Sequence, residues 1–287
     1  MISDIPTAVT NLLFEEDFGE ITSVKLLTSG HINQTKRIMT ASQVSFVLKQ
    51  NIDTEARLFK CEAAGLQVLR SAGMRTPDVW LMSTDFLLLE DLGVHSISEP
   101  VWEEFGRAVA RQHLHTNARY GFAYDNYLGP LPQVNTWTED GHEFFGQHRV
   151  LRYLKEPRCD QALTQQDRQN LERLVKRLPD LIPEQPPALV HGDLWHTNML
   201  LDDQRKPALI DPAVYYGWPE AELSMTRQYG IVPHVFYDAY NEVNPLREGW
   251  WERLELLYIR QHMAVLAFFG NKYNTLQQLR DVISKFN

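Results

Sequence analysis

The sequence predicts an α+β chain in two lobes: an antiparallel sheet with one long helix over residues 1–91, then a mainly helical part over 92–287. Three observations predict it. Short strand-like runs with one long helical stretch fill the first third. Helical periodicity dominates after Asp91. Three further short β runs follow a proline cluster at Pro179, Pro183, Pro186 and Pro187, which forces an extended connector.

Ile5, Val9, Leu12 and Leu13 share one face of a short opening helix that Gly19 closes. Ile21–Thr28 and Ile32–Thr40 read as strands joined by Ser29-Gly30-His31, and Val44–Gln50 as a third after the polar break Ala41-Ser42-Gln43. Thr54 caps a helix expected from Glu55 to Ala72, with Gly73 past its end and Leu58, Cys61, Leu66 and Leu69 facing inward. Val79–Met82 and Phe86–Glu90 form a hairpin about Ser83-Thr84-Asp85. Beyond it, helices are expected from the cap Ser98, with Pro100 in the first turn, to about Asn117, then over Glu139–Lys155 and Thr164–Leu178. The β runs are Ala188–Val190, Asn198–Leu201 and Ala208–Ile210. From Pro219 to Phe286 the pattern is helical again, broken near Gly230 and Asn244-Pro245.

Composition narrows the function. Of 287 residues 44% are hydrophobic and 23% charged, which is ordinary globular usage and excludes disorder. A formal charge of −9 supplies no positive field for nucleic acid or an anionic membrane. Cys61 and Cys159 form no CxxC, so neither a disulfide framework nor a thiolate zinc site is expected. Met1–Val9 carries Asp4 and no basic region, and Met263–Phe269 is too short to cross a bilayer, so a cytoplasmic protein is expected.

The chemistry concentrates in Leu189-Val190-His191-Gly192-Asp193-Leu194-Trp195-His196-Thr197-Asn198-Met199-Leu200-Leu201, followed by Ala208-Leu209-Ile210-Asp211-Pro212. Phosphoryl transfer from a nucleotide needs a carboxylate to take the acceptor hydroxyl's proton and hard oxygen ligands to hold Mg²⁺ against the phosphates. Asp193, Asn198 five residues on and Asp211 beyond a strand meet that need. The five-residue step is that of the kinase loop H-R-D-x-x-x-x-N, with Gly192 in place of the arginine. Asp193 is then the base, with Asn198 and Asp211 as magnesium ligands. Each alone would pass for a turn former or a helix cap; their order between β runs favours chemistry.

Upstream, Lys49 on the third strand can reach nucleotide phosphates, and Glu62 on the following helix can hold it as an ion pair. Glu55 competes for that role, but a solvated first-turn carboxylate accounts for it more simply. The turn with Gly30 and Asn33 is where a phosphate-covering loop falls, although the chain has no GxGxxG and no Walker A motif. Leu87-Leu88-Leu89-Glu90-Asp91-Leu92-Gly93 marks the change between lobes. A connector through Glu90, Asp91 and Leu92 offers backbone groups to an adenine edge.

On these residues the sequence resembles the fructosamine kinase (ketosamine-3-kinase) family of the protein-kinase-like superfamily, over nearly its whole length. The most specific marks are His191-Gly192-Asp193-Leu194-Trp195 with Asn198, and Asp211-Pro212-Ala213-Val214-Tyr215-Tyr216-Gly217, extended by Glu220 through Met225. Asn135-Thr136-Trp137, Phe144-Phe145 and Arg149 look like further family segments. Aminoglycoside and choline kinases share the base-loop logic but not the Leu-Trp or the Asp-Pro-Ala-Val-Tyr-Tyr-Gly run. The resemblance implies a two-lobed kinase-like fold and ATP- and Mg²⁺-dependent phosphorylation of a ketosamine, free or protein-bound, at the carbon-3 hydroxyl. It implies the roles above for Asp193, Asn198, Asp211, Lys49 and Glu62. His196 and Thr197 depart from a family loop that commonly reads Leu-Trp-Ser-Gly-Asn, and Trp218-Pro219 replaces a polar pair. Trp195 and Trp218 are candidates to wall the sugar pocket, with packing in the core an equal alternative for Trp218.

Three rivals remain open. An aminoglycoside- or choline-type phosphotransferase shares the fold and differs in acceptor. A catalytically silent nucleotide-binding module is a second. A metal hydrolase built on His113, His115, His191, Asp193 and His196 is disfavoured, because His113 and His115 point to different sides of a helix.

Overall fold

Alternation along the strands decides how the first lobe is layered. The computed structural model describes residues 4–29, 34–51, 57–93, 97–227 and 230–287. The candidates Gly30 and Asn33, and Thr54 and Glu55 at the expected helix start, lie outside the described residues. Strands β1 (Ile21–Ser29), β2 (Gln34–Thr40), β3 (Ser45–Gln50), β4 (Val79–Met82) and β5 (Phe86–Glu90) form one antiparallel sheet of order β1-β2-β3-β5-β4. Phe86 and Leu88 of β5 join Ile38, Phe46 and Leu48 beneath α1 (Thr7–Glu15), which contributes Val9 and Leu13. Leu87 and Leu89 point the other way and meet Leu58, Phe59 and Leu66 of α2 (Leu58–Ser71). Since Phe46 and Leu48 face α1, Val47 and Lys49 of β3 are directed toward α2, which puts a cation on the inner side.

The second part begins with α3 (Glu99–His113), which follows Ser98 with Pro100 in its first turn. It ends short of the expected Asn117. The backbone at His115 and Asn117 instead bonds to the 187–189 segment, through Leu189 N to His115 O at 2.8 Å and Asn117 N to Pro187 O at 3.0 Å. A hairpin of β6 (Asn126–Leu128) and β7 (Leu131–Gln133) follows, too short to show a period in sequence.

The helix expected over Glu139–Lys155 is a correction. Only α4 (Gly141–Glu143) is α-helical; residues 144–150 wind as a π-helix and 151–155 as a 3₁₀ turn. The buried pairs Phe144-Phe145 and Arg149-Val150 recur at five residues, a spacing that a π turn supplies and an α turn does not.

Beyond it come α5 (Pro157–Ala162), α6 (Gln165–Lys176) and α7 (Leu178–Leu181). Thr164 and Asp167 form a capping box at the start of α6. Strand β8 (Ala188–Val190) pairs with β11 (Tyr215–Gly217), and β9 (Met199–Leu201) with β10 (Pro207–Leu209). Helices α8 (Pro219–Arg227), α9 (His234–Val243), α10 (Trp250–Leu257), α11 (Ile259–Phe269) and α12 (Thr275–Phe286) complete the chain. Their core is one continuous apolar cluster that reaches back to Leu69 and Met74. No helix among the described residues is long and apolar enough to cross a membrane.

His262 on α11 has a thermodynamic consequence. Burial pushes its imidazole down to about 4 from 6.5, in a recess shared with Arg227, Glu255 and Tyr258. The folded state holds this ring neutral while the unfolded chain protonates it. Stability is therefore complete above pH 6.5 and is lost as pH falls toward about 4. Between pH 7 and 4.5 the loss attributable to His262 is about 2–3 kcal/mol. Urea unfolding of His262→Phe should show an acid limb shallower by that amount; an identical limb in both proteins would remove His262 from the account.

Candidate active site

The loop after β8 is held at both peptide groups of Gly192 and at their neighbours. The Glu222 carboxylate, on α8, accepts the His191 N–H at 2.9 Å and the Gly192 N–H at 2.6 Å. His113 Nε2 meets the same carboxylate at 2.9 Å, and His113 Nδ1 meets the Tyr240 hydroxyl at 2.7 Å. Burial opposes a charge there, but His113 and His191 together more than offset it and keep Glu222 below its ordinary carboxylate range.

His191 is a spacer. Its Nδ1 accepts the Asp193 N–H at 3.2 Å, and its Nε2 bonds the Ile210 carbonyl at 2.9 Å. Burial holds the ring neutral, in the tautomer that donates from Nε2. One imidazole thus sets the separation between the residue bearing Asp193 and the residue before Asp211. Asn198 adds a second tie: its Nδ2 donates to Asp193 O at 2.9 Å and to Asp193 Oδ2 at 3.1 Å. With Nδ2 so engaged, Oδ1 is the side-chain atom through which Asn198 could meet a cation.

Lys49 joins the two lobes. Only 5% exposed, its Nζ pairs with Glu62 Oε1 at 2.5 Å and also bonds Asp211 Oδ1. Burial disfavours the ammonium, but Asp211 and Glu62 together more than offset that and hold it above its ordinary range. Helix α2 can lie close enough to present Glu62 because Gly65 faces Pro212, where a Cβ would stand 3.0 Å from the proline ring. Asp211 has φ 59°, a left-handed conformation that Asp tolerates better than bulky residues. Its side chain is 43% exposed. Burial pushes the Asp193 carboxyl up to about 7; Arg260 opposes the rise and Asp211 adds to it.

Five of the expected residues, Lys49, Glu62, Asp193, Asn198 and Asp211, therefore converge. The connector residues behave differently. Asp91 is committed to Arg37, to Ser45 Oγ at 2.7 Å and to the Gly93 N–H at 3.0 Å. Glu90 takes Arg75 at 2.5 Å and the Asp78 N–H at 3.0 Å. Leu92 is buried. What this segment can offer a nucleotide is backbone, not carboxylate. Trp195 is 39% exposed on the Asp193 loop itself. Trp218 is a correction: it is 3% exposed, stacked on Phe145 and edge-on to Tyr120 and His142. It is a core residue, because β11 ends there and turns its ring beneath the 141–145 segment.

The described residues hold no cluster of three His, Cys, Asp or Glu suited to a metal. His113, His191 and His196 are separately engaged and His115 is exposed, so the hydrolase reading loses its ligand set. Glu222 fell inside the family segment Glu220–Met225 without a role read for it, and Arg260 and Gln133 had no local signal, because each has its buried partners far away in sequence.

Residues 5–286 match the fructosamine kinase family profile. The chain belongs to the fructosamine kinase family. The "Probable ketoamine kinase" of Enterococcus faecium is 32% identical over 278 residues, covering 95% of this chain and 96% of that protein. The chloroplastic protein-ribulosamine 3-kinase of Arabidopsis thaliana is 29% identical, covering 92% and 83%. A crystal structure of a candidate fructosamine-3-kinase from Thermobifida fusca superposes with a TM-score of 0.86 at 32% identity, covering 98% and 97%. At 15% identity, a choline kinase from Streptococcus pneumoniae shares the fold alone, with a TM-score of 0.64 over 98% of this chain and 100% of that one. This fructosamine kinase family member is thus a phosphotransferase with a protein-kinase-like fold.

Proposed function

We propose that this chain transfers the γ-phosphoryl group of ATP to the carbon-3 hydroxyl of a ketosamine, of the fructosamine or ribulosamine type. The observation that carries the reading is the convergence of Asp193 and Asn198 with Lys49, Glu62 and Asp211. Asp193 takes the hydroxyl proton as the oxygen bonds to phosphorus, and ADP leaves. Lys49, aligned by Glu62, meets the phosphates, with residues 1–91 as the nucleotide lobe and 92–287 as the catalytic one. Asn198 Oδ1 and the Asp211 carboxylate are hard oxygen donors and fit Mg²⁺, which when bound neutralises charge on the phosphate oxygens. The backbone of Glu90 to Leu92 receives the adenine edge, and Trp195 offers an aromatic face to the sugar. A cytoplasmic setting belongs to the same reading, supported by the buried free thiols Cys61 and Cys159.

ADP release with fructosyl- and ribulosyl-amines, free and protein-bound, alongside aminoglycosides and choline, tests the acceptor. Turnover is expected with the ketosamines and lost on adding EDTA, with carbon-3 attachment read from phosphorus–proton coupling by NMR. Turnover confined to aminoglycosides or choline would sink the proposal.

A further inference from the structure

The base loop carries no side chain where the kinase loop carries arginine, and its geometry forbids one. Gly192 has φ 85°, and a Cβ there would stand 2.1 Å from the Ala213 carbonyl oxygen. A guanidinium nevertheless reaches this point from another element. Arg260, on α11 and 2% exposed, donates from Nη2 to Gly192 O at 2.8 Å and to Gln133 Oε1 at 3.0 Å. Its Nη1 lies 3.5 Å from Met225 Sδ. Among the described residues its hydrogen bonds go only to neutral groups, an expensive way to bury a cation.

Gln133 passes the contact on. Its Nε2 donates to Ala213 O at 3.0 Å and to Asn126 Oδ1 at 2.9 Å, and Asn126 Nδ2 donates to Val214 O at 2.8 Å. The Arg260–Gln133 unit therefore grips the carbonyl just before Asp193 on one side and the residues just after Asp211 on the other. At Gly192 the division of labour is complete: Glu222 holds the N–H of the peptide entering it and Arg260 the C=O of the peptide leaving it. Both soft torsions of the most permissive residue in the loop are pinned.

We infer that Arg260 is a positioning residue for phosphoryl transfer: its Nη2, bonded to both Gly192 and Gln133, fixes Asp193 relative to Asp211, in place of the arginine that Gly192 excludes from the loop. The inference rests on the reading of Asp193 as the base. A positioning role predicts an effect on kcat without one on nucleotide binding. Arg260→Met should lower kcat about a hundredfold, as expected for a misplaced reacting group, with KM for ATP and nucleotide-induced thermal stabilisation unchanged. Both bonds leave the one atom Nη2; Arg260→Lys keeps a multiple donor on a shorter, differently placed head, and should recover part of the lost kcat.

A wild-type kcat in a folded Arg260→Met protein, or a KM that rises in step with the fall in kcat, overturns the inference. Should the methionine variant fail to fold, Arg260→Lys decides: lower kcat at constant KM sustains it, and wild-type kcat overturns it. Ketosamine turnover is judged on the wild-type chain alone. If that fails, the same variants are compared on ATP hydrolysis with water as acceptor, so the two failures stay distinct.

Discussion

Asp193→Asn is expected to lose about 10²–10⁴-fold in kcat, the range for removing a positioned general base, while the chain keeps its fold. The substitution preserves shape, and the new amide can still accept the Asn198 Nδ2 bond that reaches Oδ2 at 3.1 Å. It also removes a carboxylate that burial already pushes up to about 7, so the thermal midpoint should hold or rise slightly. Stabilisation by ATP and Mg²⁺ should persist, because neither Lys49 nor Asp211 is altered. Full turnover in a folded Asp193→Asn protein would remove Asp193 from the base role.

Glu222→Ala should cost about 3–5 kcal/mol of stability, the range for breaking one partner out of a buried ionic contact. Three groups lose their acceptor together: the His191 N–H, the Gly192 N–H and His113. Each buried orphan contributes about 1–3 kcal/mol, against a total of about 5–15 kcal/mol for a domain. Glu222→Gln should be milder in stability and still poor in turnover, since its amide supplies one acceptor oxygen where the carboxylate supplied two. Urea midpoints at constant slope measure the first effect and kcat the second. An alanine variant that unfolds at the wild-type midpoint would show that the loop is held by something else.

Much of the fold was legible because period-two alternation leaves a local trace. Strands β4 and β5 lie where the sequence places them, and alternation puts Val47 and Lys49 on one face, which the structure shows to be the inner one. The carboxylate preferred from sequence also holds the lysine: Glu62 pairs with Lys49. Three-residue elements hold too few positions for a period: β8, β9 and β10 show only as short apolar runs, and β6, β7 and β11, which mix in polar, proline or glycine positions, do not show. The π winding at 144–150 is not legible as such, because the five-residue recurrence of Phe144-Phe145 in Arg149-Val150 marks it only once those side chains are known to be buried.

Order along the chain by itself singled out Asp193, Asn198 and Asp211, since two short strands and a turn bring them near one another. Tertiary structure alone decided how they are held. Glu222 and Arg260 come from helices 30 and 68 residues beyond Gly192, and Trp218 was withdrawn into the core by Phe145, 73 residues before it in number. Local pattern reports which side chains are apolar and how often they recur; it carries no term for a buried charge whose partner arrives from a distant helix, because that partnership exists only once the helices have packed.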